Sequence, residues 1–256
     1  MTSTIPIPRV VSRDEWLAAR KALLAEEKAF THARDALNAR RRELPAVALD
    51  RQYQFETTRG SRTLADLFEG RSQLIVYHFM FLRDEDQGCP GCSFMADNMP
   101  HLVHFHARDT TFALVSRAPL GEIEPFRQRM GWAIPWHSSY GSDFNYDFHV
   151  TTDDAVRPVE YNYRTRAELE ALGHTYHIQG EQPGISVFLR DGGRVLHTYS
   201  SYGRGLDLLI NTYNWLDLTP FGRGEGWDGM PDVAGKGMGW LKHHDRYEGE
   251  DVGGRR

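Results

Sequence analysis

Cysteine is scarce in this chain, with 2 among 256 residues. That excludes a secreted scaffold held by a disulfide framework. No stretch approaches the ~18 consecutive apolar residues of a membrane-spanning helix, so no membrane role is expected. The opening Met1-Thr-Ser-Thr-Ile-Pro lacks the charged-then-apolar order of a signal peptide, and the expected location is the cytoplasm. Neither charge sign dominates: 30 Lys and Arg face 35 Asp and Glu, a net charge of -5. A nucleic-acid-binding surface normally shows a basic stripe, so none is expected. No phosphate loop or dinucleotide fingerprint occurs, because the glycine-dense stretch from Phe221 to Gly239 does not join a strand to a helix. Ser138-Ser139 lacks the strand-turn-helix elbow of a serine hydrolase. Internal repeats are absent. What is present is a globular composition, 40% hydrophobic and 25% charged. At roughly 150 residues per domain, the length suits one large domain with appendages.

Residues 1–11 read as an extended arm. Ser12-Arg13-Asp14-Glu15 has capping-box spacing. Trp16, Leu17, Leu23, Leu24, Phe30 and Leu37 follow on one helical face, predicting an amphipathic helix over 13–43 that Pro45 stops. Tyr53 to Glu56 alternates like an edge strand, and Ser61 to Phe68 suits one or two helical turns. Leu74 to Phe81 is apolar on both sides and predicts a strand buried on both faces. A helix is expected from Pro90 to Asn98, a second buried strand from Thr111 to Ser116, and a helix from Glu122 to Met130 with Gly131 as its cap. Residues 151–183 look like an insertion with a short helix from Ala167 to Leu172. Asp191-Gly192-Gly193 then joins two strands as a hairpin. Leu206 to Leu216 is the last expected helix. The implied organisation is an arm and helix over 1–50, a main domain over 51–220, and a Gly-rich extension over 221–256.

The two cysteines stand three apart, in Cys89-Pro90-Gly91-Cys92, between a predicted strand and a predicted helix. Residues i and i+3 share a helix face. With Cys89 as N-cap and Pro90 at the first helical position, the two sulfurs come close enough to bridge. Cys89 then faces unpaired backbone N–H groups and the positive end of the helix dipole, both of which favour thiolate. Cys92, one turn in and less exposed, suits the resolving role. Asp84, Glu85 and Asp86 act against ionisation, but exposed charges are screened within about 8 Å. The spacing therefore predicts a thiol-disulfide oxidoreductase: Cys89 attacks, Cys92 resolves, Pro90 and Gly91 shape the turn, and no organic cofactor is needed.

The order of strand, dithiol, helix, strand, helix and hairpin resembles the thioredoxin-like superfamily. More closely, several stretches resemble a bacterial family of thioredoxin-like proteins of unknown function, predicted to be dithiol-disulfide oxidoreductases. These are Gly88 to Phe94, Arg108-Asp109-Thr110-Thr111, Ser116-Arg117-Ala118-Pro119-Leu120, Pro135-Trp136 with Ser138 to Asn145, and His197-Thr198-Tyr199-Ser200 with Arg204-Gly205. The resemblance runs from the first long helix through about residue 247. It implies an α/β fold with a central mixed sheet flanked by helices, to which the long N-terminal helix and the insertion before the C-terminal hairpin are additions. It also implies a cis proline opposite the dithiol. Pro183 stands in the right order for this, although Gly184 separates it from the strand and an ordinary turn proline is the other reading.

Three other readings stay open. A zinc module would use Cys89, Cys92, His101 and His104, but on a continuous helix His101 lies more than about 12 Å from Cys92 along the axis. A peroxiredoxin-like peroxidase would carry Ser or Thr three residues before the cysteine, where Asp86 stands. A redox-inert interaction protein would use the long helix as its surface. His78, inside the buried strand, is either a proton acceptor near the dithiol or a structural histidine with a buried partner. Trp132, Trp136, Tyr140, Phe144, Tyr146 and Tyr199 either line a groove or pack. Arg117 and Arg204 either bind an anion or form surface ion pairs. The expected partner is a protein or small-molecule thiol or disulfide, and a homodimer is open.

Overall fold

Runs of apolar residues too short for helices and too hydrophobic for an exposed sheet force two strands into the middle of this protein. The computed structural model describes residues 7–81, 86–223 and 240–247. In chain order the elements are α1 (Arg13–Arg41), β1 (Val47–Ala48), β2 (Gln54–Thr57), β3 (Gly60–Thr63), β4 (Gln73–His78), α2 (Pro90–Asp97), α3 (Val103–His106), β5 (Thr110–Ser116), α4 (Leu120–Arg129), β6 (Trp136–Ser138), α5 (Phe144–Asp147), α6 (Arg166–Ala171), β7 (Gly184–Asp191), β8 (Arg194–Tyr202) and α7 (Asn211–Leu216). They build one eight-stranded sheet in the order β1-β8-β7-β4-β5-β6-β2-β3. Every residue of β5 is buried. Strands β4 and β5 run parallel, with Tyr77 opposite Leu114, whereas β7 is antiparallel to β4, with Ile185 opposite Tyr77. The kernel β8-β7-β4-β5, with α2 following β4, is a thioredoxin-like arrangement. Two short ladders, 151–152 with 180–181 and 160–161 with 164–165, lie in the stretch read as an insertion.

The sheet separates two cores, because successive side chains on a strand point to opposite faces. One face carries Val76, Phe144, Phe148, Phe188 and Tyr202. The other carries Tyr77, Phe79, Phe112, Leu114 and Trp136, and packs against Cys92 and Met95 of α2.

Helix α1 begins as the spacing predicts, with the Ser12 hydroxyl accepting from the Glu15 N–H at 3.2 Å. It buries no residue: Trp16, Leu23 and Phe30 stay about half exposed, at 46%, 52% and 60%. Two expectations are corrected. Residues 61–68 are not a helix. Gly60–Thr63 pairs with Gln54–Thr57 as a hairpin, and only Asp66–Phe68 turns, as a 3-10 segment. The ladder satisfies backbone groups that a single short helix would leave open. The expected helix over 206–216 is broken. A 3-10 stretch, Gly203–Leu209, gives way at an extended Ile210 to α7. The restart is templated from outside, since the Asn98 side-chain oxygen accepts from the Thr212 N–H and hydroxyl at 2.6 and 2.8 Å.

Candidate redox site

The β4 ladder ends at His78, and the chain continues through Phe79, whose N–H donates to the Val115 carbonyl at 2.8 Å. The Met80 carbonyl then accepts from the Cys89 N–H at 2.9 Å, which returns the loop to the sheet end. Cys89 is the N-cap of α2 with a non-helical backbone, and Pro90 occupies the first turn. That proline suits a position whose N–H has no helical partner. The Cys89 carbonyl accepts from both the N–H and the hydroxyl of Ser93, each at 2.9 Å, so the opening turn is held at two points.

One turn on, Cys92 is 1% exposed, while Cys89 is partly exposed and neither is in a disulfide. The two cysteines line one cleft. The Cys92 sulfur accepts from the Met80 N–H at 3.4 Å, and Tyr77 lines the same cleft. Burial pushes the Cys92 thiol well above its ordinary value, and the neighbouring Cys89 adds to this, while the Tyr77 and Met80 donors pull the other way. Tyr77 is wholly buried, and burial together with Cys92 holds its hydroxyl protonated far above the usual range.

Both sulfurs face a cleft of about 160 Å³. Met80, Met95, Leu206 and Ile210 make its walls apolar, Arg204 and Asp207 also line it, and Pro183 stands across from the dithiol helix. Pro183 lines the same cleft as the cysteines, and the implied cis bond is corrected: no cis peptide bond occurs among the described residues. Tyr161 ties two walls together: its hydroxyl donates to the Pro183 carbonyl at 2.9 Å and accepts from the Gly203 N–H at 3.1 Å. A larger polar groove of about 690 Å³, lined by Arg59, Arg62 and His137, contains neither cysteine.

His78 lies on the face opposite the dithiol, so of its two readings the structural one fits its surroundings and the proton acceptor does not. It stacks on Phe148, and its Nε2 meets the Ser186 hydroxyl at 2.9 Å. Ser186 in turn meets Ser200, and Ser200 meets His197. Burial pushes His78 down to about 3 and keeps it neutral. The zinc set is not assembled. Among the described residues no three His, Cys, Asp or Glu side chains converge as metal ligands, and His101 stands beside His104 after α2 has ended. Asp84 and Glu85 lie outside the described residues, and Asp86 is exposed. Trp132, Trp136, Phe144 and Tyr146 pack against other aromatic rings or arginines rather than lining the cleft. Tyr140 and Tyr199 also lie outside it. Arg117 pairs with the half-buried Glu181 at 3.6 Å, and Arg204 pairs with Asp207 at 3.4 Å where both line the cleft.

Three site residues escaped the sequence reading. Strand alternation carries the signal for Tyr77, since a neighbour of inward-facing His78 must face the other way. Tyr161 sits within the polar insertion, and nothing local marks it. His243 comes from the C-terminal extension. It is 4% exposed, its Nε2 donates to the Gly88 carbonyl at 2.9 Å, and its Nδ1 accepts from Arg129 at 3.3 Å. Leu241 packs beside it against Phe94 and Tyr213, so part of the stretch read as an extension closes on the dithiol helix.

Comparison with solved structures returns peroxiredoxin Q proteins. A cysteine-to-serine mutant of Xylella fastidiosa PrxQ is 15% identical with a TM-score of 0.42, covering 66% of this chain and 95% of that one. A mutant of Xanthomonas campestris peroxiredoxin Q is 15% identical with a TM-score of 0.39, covering 63% of this chain and 90% of its own. No curated protein sequence matches. A family model spans residues 5–247, and by that match the chain belongs to the family described as "Bacterial protein of unknown function (DUF899)".

Proposed function

We propose that this protein is a thiol-disulfide oxidoreductase in which Cys89 attacks and Cys92 resolves. The observation that carries the reading is the asymmetry of the pair. Cys89 is reachable from an apolar cleft at a helix N-terminus, and Cys92 is buried one turn below it against the same cleft. Thiolate at Cys89 attacks a substrate disulfide, forming a mixed disulfide and releasing one substrate thiolate, which takes up a proton. Cys92 thiolate then attacks the Cys89 sulfur. The protein disulfide forms and the second substrate thiol leaves. Two electrons and the two cysteine protons pass to the substrate, and an external thiol of a protein or small molecule restores the dithiol. No step calls for an organic cofactor or a metal. Met80, Met95, Leu206 and Ile210 favour a substrate that presents an apolar group beside its disulfide.

The test is a trap. Cys92→Ser protein, expressed in cells and acid-quenched, is expected to carry mixed disulfides that vanish with thiol reductant and in Cys89→Ser/Cys92→Ser protein. Absence of any mixed disulfide, together with failure of the wild-type dithiol to oxidise in a glutathione buffer, sinks the reading. Rapid consumption of hydroperoxide by the same protein, with no disulfide reductase activity, replaces it with the peroxidase alternative.

A further inference from the structure

The peptide group between Gly88 and Cys89 is pinned at both of its polar atoms. Its N–H donates to the Met80 carbonyl at 2.9 Å, and its carbonyl accepts from His243 Nε2 at 2.9 Å. The next carbonyl, that of Cys89, takes the N–H and the hydroxyl of Ser93. Three of these bonds are made within residues 80–93, and the fourth comes from 155 positions away. His243 is itself held. Arginine can only donate, so the Arg129 contact at 3.3 Å makes Nδ1 the acceptor and leaves the ring proton on Nε2, toward Gly88. Arg129, at the end of α4, grips Asp245 through two bonds at 2.8 and 3.2 Å. His244 meets the side chain of Asp97, the last residue of α2, at 2.7 Å. Consecutive histidines thus take the two ends of the dithiol helix, and Leu241 packs on Phe94 in its middle. We propose that His243 is a positioning residue for Cys89: its hydrogen bond to the Gly88 carbonyl fixes the peptide plane that carries the attacking cysteine, which makes 240–247 part of the redox site. This rests on the thiol-disulfide reading above and adds to it a residue that does not line the cleft.

The consequence is directional. A thiolate displaces the leaving sulfur along the disulfide axis, so the rate depends on where Cys89 aims. With its backbone fixed on both sides, only rotation about the Cα–Cβ bond remains to be ordered. Gly88 is buried, and without His243 its carbonyl loses its donor. A buried carbonyl in that state turns toward water or another donor. The peptide is planar, so a turning carbonyl also draws the Cys89 N–H off Met80. Both restraints before the cysteine then fail together, while those from Ser93 remain. The ring of Phe126, 5.3 Å from that of His243 between centres, keeps the imidazole in place beside the loop.

The experiment uses the full chain with Cys92→Ser, so that each attack on an aromatic disulfide releases one coloured thiolate and stops at the mixed disulfide. Rates are compared by stopped flow on the alkaline plateau of the pH profile, where Cys89 is thiolate in every variant, and well below each melting temperature. His243→Leu keeps an apolar side chain in place and removes the donor. Its attack is expected to be at least about tenfold slower, the scale of misplacing a reacting group. His243→Gln offers an amide N–H where the ring N–H stood and is expected to recover most of the rate. Asp245→Ala releases Arg129 at the surface without touching the buried ring, and about a threefold slowing is expected, in keeping with a half-exposed ion pair. That variant carries the test if His243→Leu does not fold, and an unchanged rate there overturns the proposal. Equal plateau rates throughout, or equal slowing in His243→Leu and His243→Gln, also overturn the role of His243 and leave the oxidoreductase standing. If the parent Cys92→Ser protein attacks no disulfide, the oxidoreductase reading and this inference fall together.

Discussion

Gly88, the residue before the attacking cysteine, has no room for a side chain, and substituting it by alanine tests how the loop is held. A Cβ built there lies 2.3 Å from Phe79 Cε1 and 2.8 Å from Cζ, with Phe126 at 3.2 Å. Carbon atoms at rest stay about 3.5–4.0 Å apart, so the overlap exceeds about 1 Å. Phe79 has little freedom to yield: it is 2% exposed, and its ring lies 4.3 Å from that of Trp136, centre to centre. The alternative is for Gly88 to move, which pulls on the His243 contact to its carbonyl and carries Cys89 with it. Overpacking of this kind costs about 1–3 kcal/mol. In a chain of this size, a melting temperature lowered by roughly 3–10 °C follows. Phe79→Leu removes the colliding ring atoms at the expense of a cavity worth about 1–1.5 kcal/mol. In the double variant the two changes should be less damaging than their sum, with a favourable coupling of about 1 kcal/mol or more. Thermal unfolding of the four proteins in the cycle, with the rate of Cys89 alkylation as a local probe, measures both effects. A Gly88→Ala protein that melts and alkylates like wild type, or strict additivity in the cycle, refutes the packing argument.

Stability is expected to fall on mild acidification because His78 is buried and His137 half-buried as neutral rings, with pKa values pushed down to about 3 and about 4 by loss of solvation. Between an unfolded value of about 6.5 and those folded values the unfolded chain binds more protons, so stability is full above the window and is lost as pH falls through it. Urea unfolding at pH 7 and pH 5 should differ by about 2 kcal/mol per histidine, and equal stabilities at the two pH values would count against buried neutral rings. Removal of residues 1–42 is expected to leave the melting temperature within about 2 °C, because α1 buries nothing and a surface change seldom exceeds about 0.5 kcal/mol. A drop beyond about 5 °C in calorimetry contradicts that.

Periodicity carried much of the fold. Leu74 to Tyr77 and Thr111 to Ser116 are apolar on both sides, and such runs have nowhere to go but the middle of a sheet. Asp191-Gly192-Gly193 marked the turn joining β7 to β8, where both glycines adopt positive φ. The failures share a cause. Ser61 to Phe68 suits a helix when considered alone, but Gln54–Thr57 offers a ladder. Leu206 to Leu216 also suits a helix, but Asn98 captures the Thr212 N–H and restarts the chain there. In each case a partner outside the segment itself, an adjacent strand in one and a residue more than a hundred positions away in the other, outweighed a weak local preference.

For the site, the chain on its own determined the dithiol, its helix start and which cysteine is outermost, since i,i+3 spacing and a proline after the cap are local geometry. Tertiary structure alone decided what surrounds the inner sulfur. Tyr77 and Pro183 come from two neighbouring strands or their ends, Tyr161 from the insertion, and His243 meets Gly88 across 155 positions. Contacts of that range are set by how sheet, insertion and C-terminal segment pack, and one-dimensional spacing does not record packing.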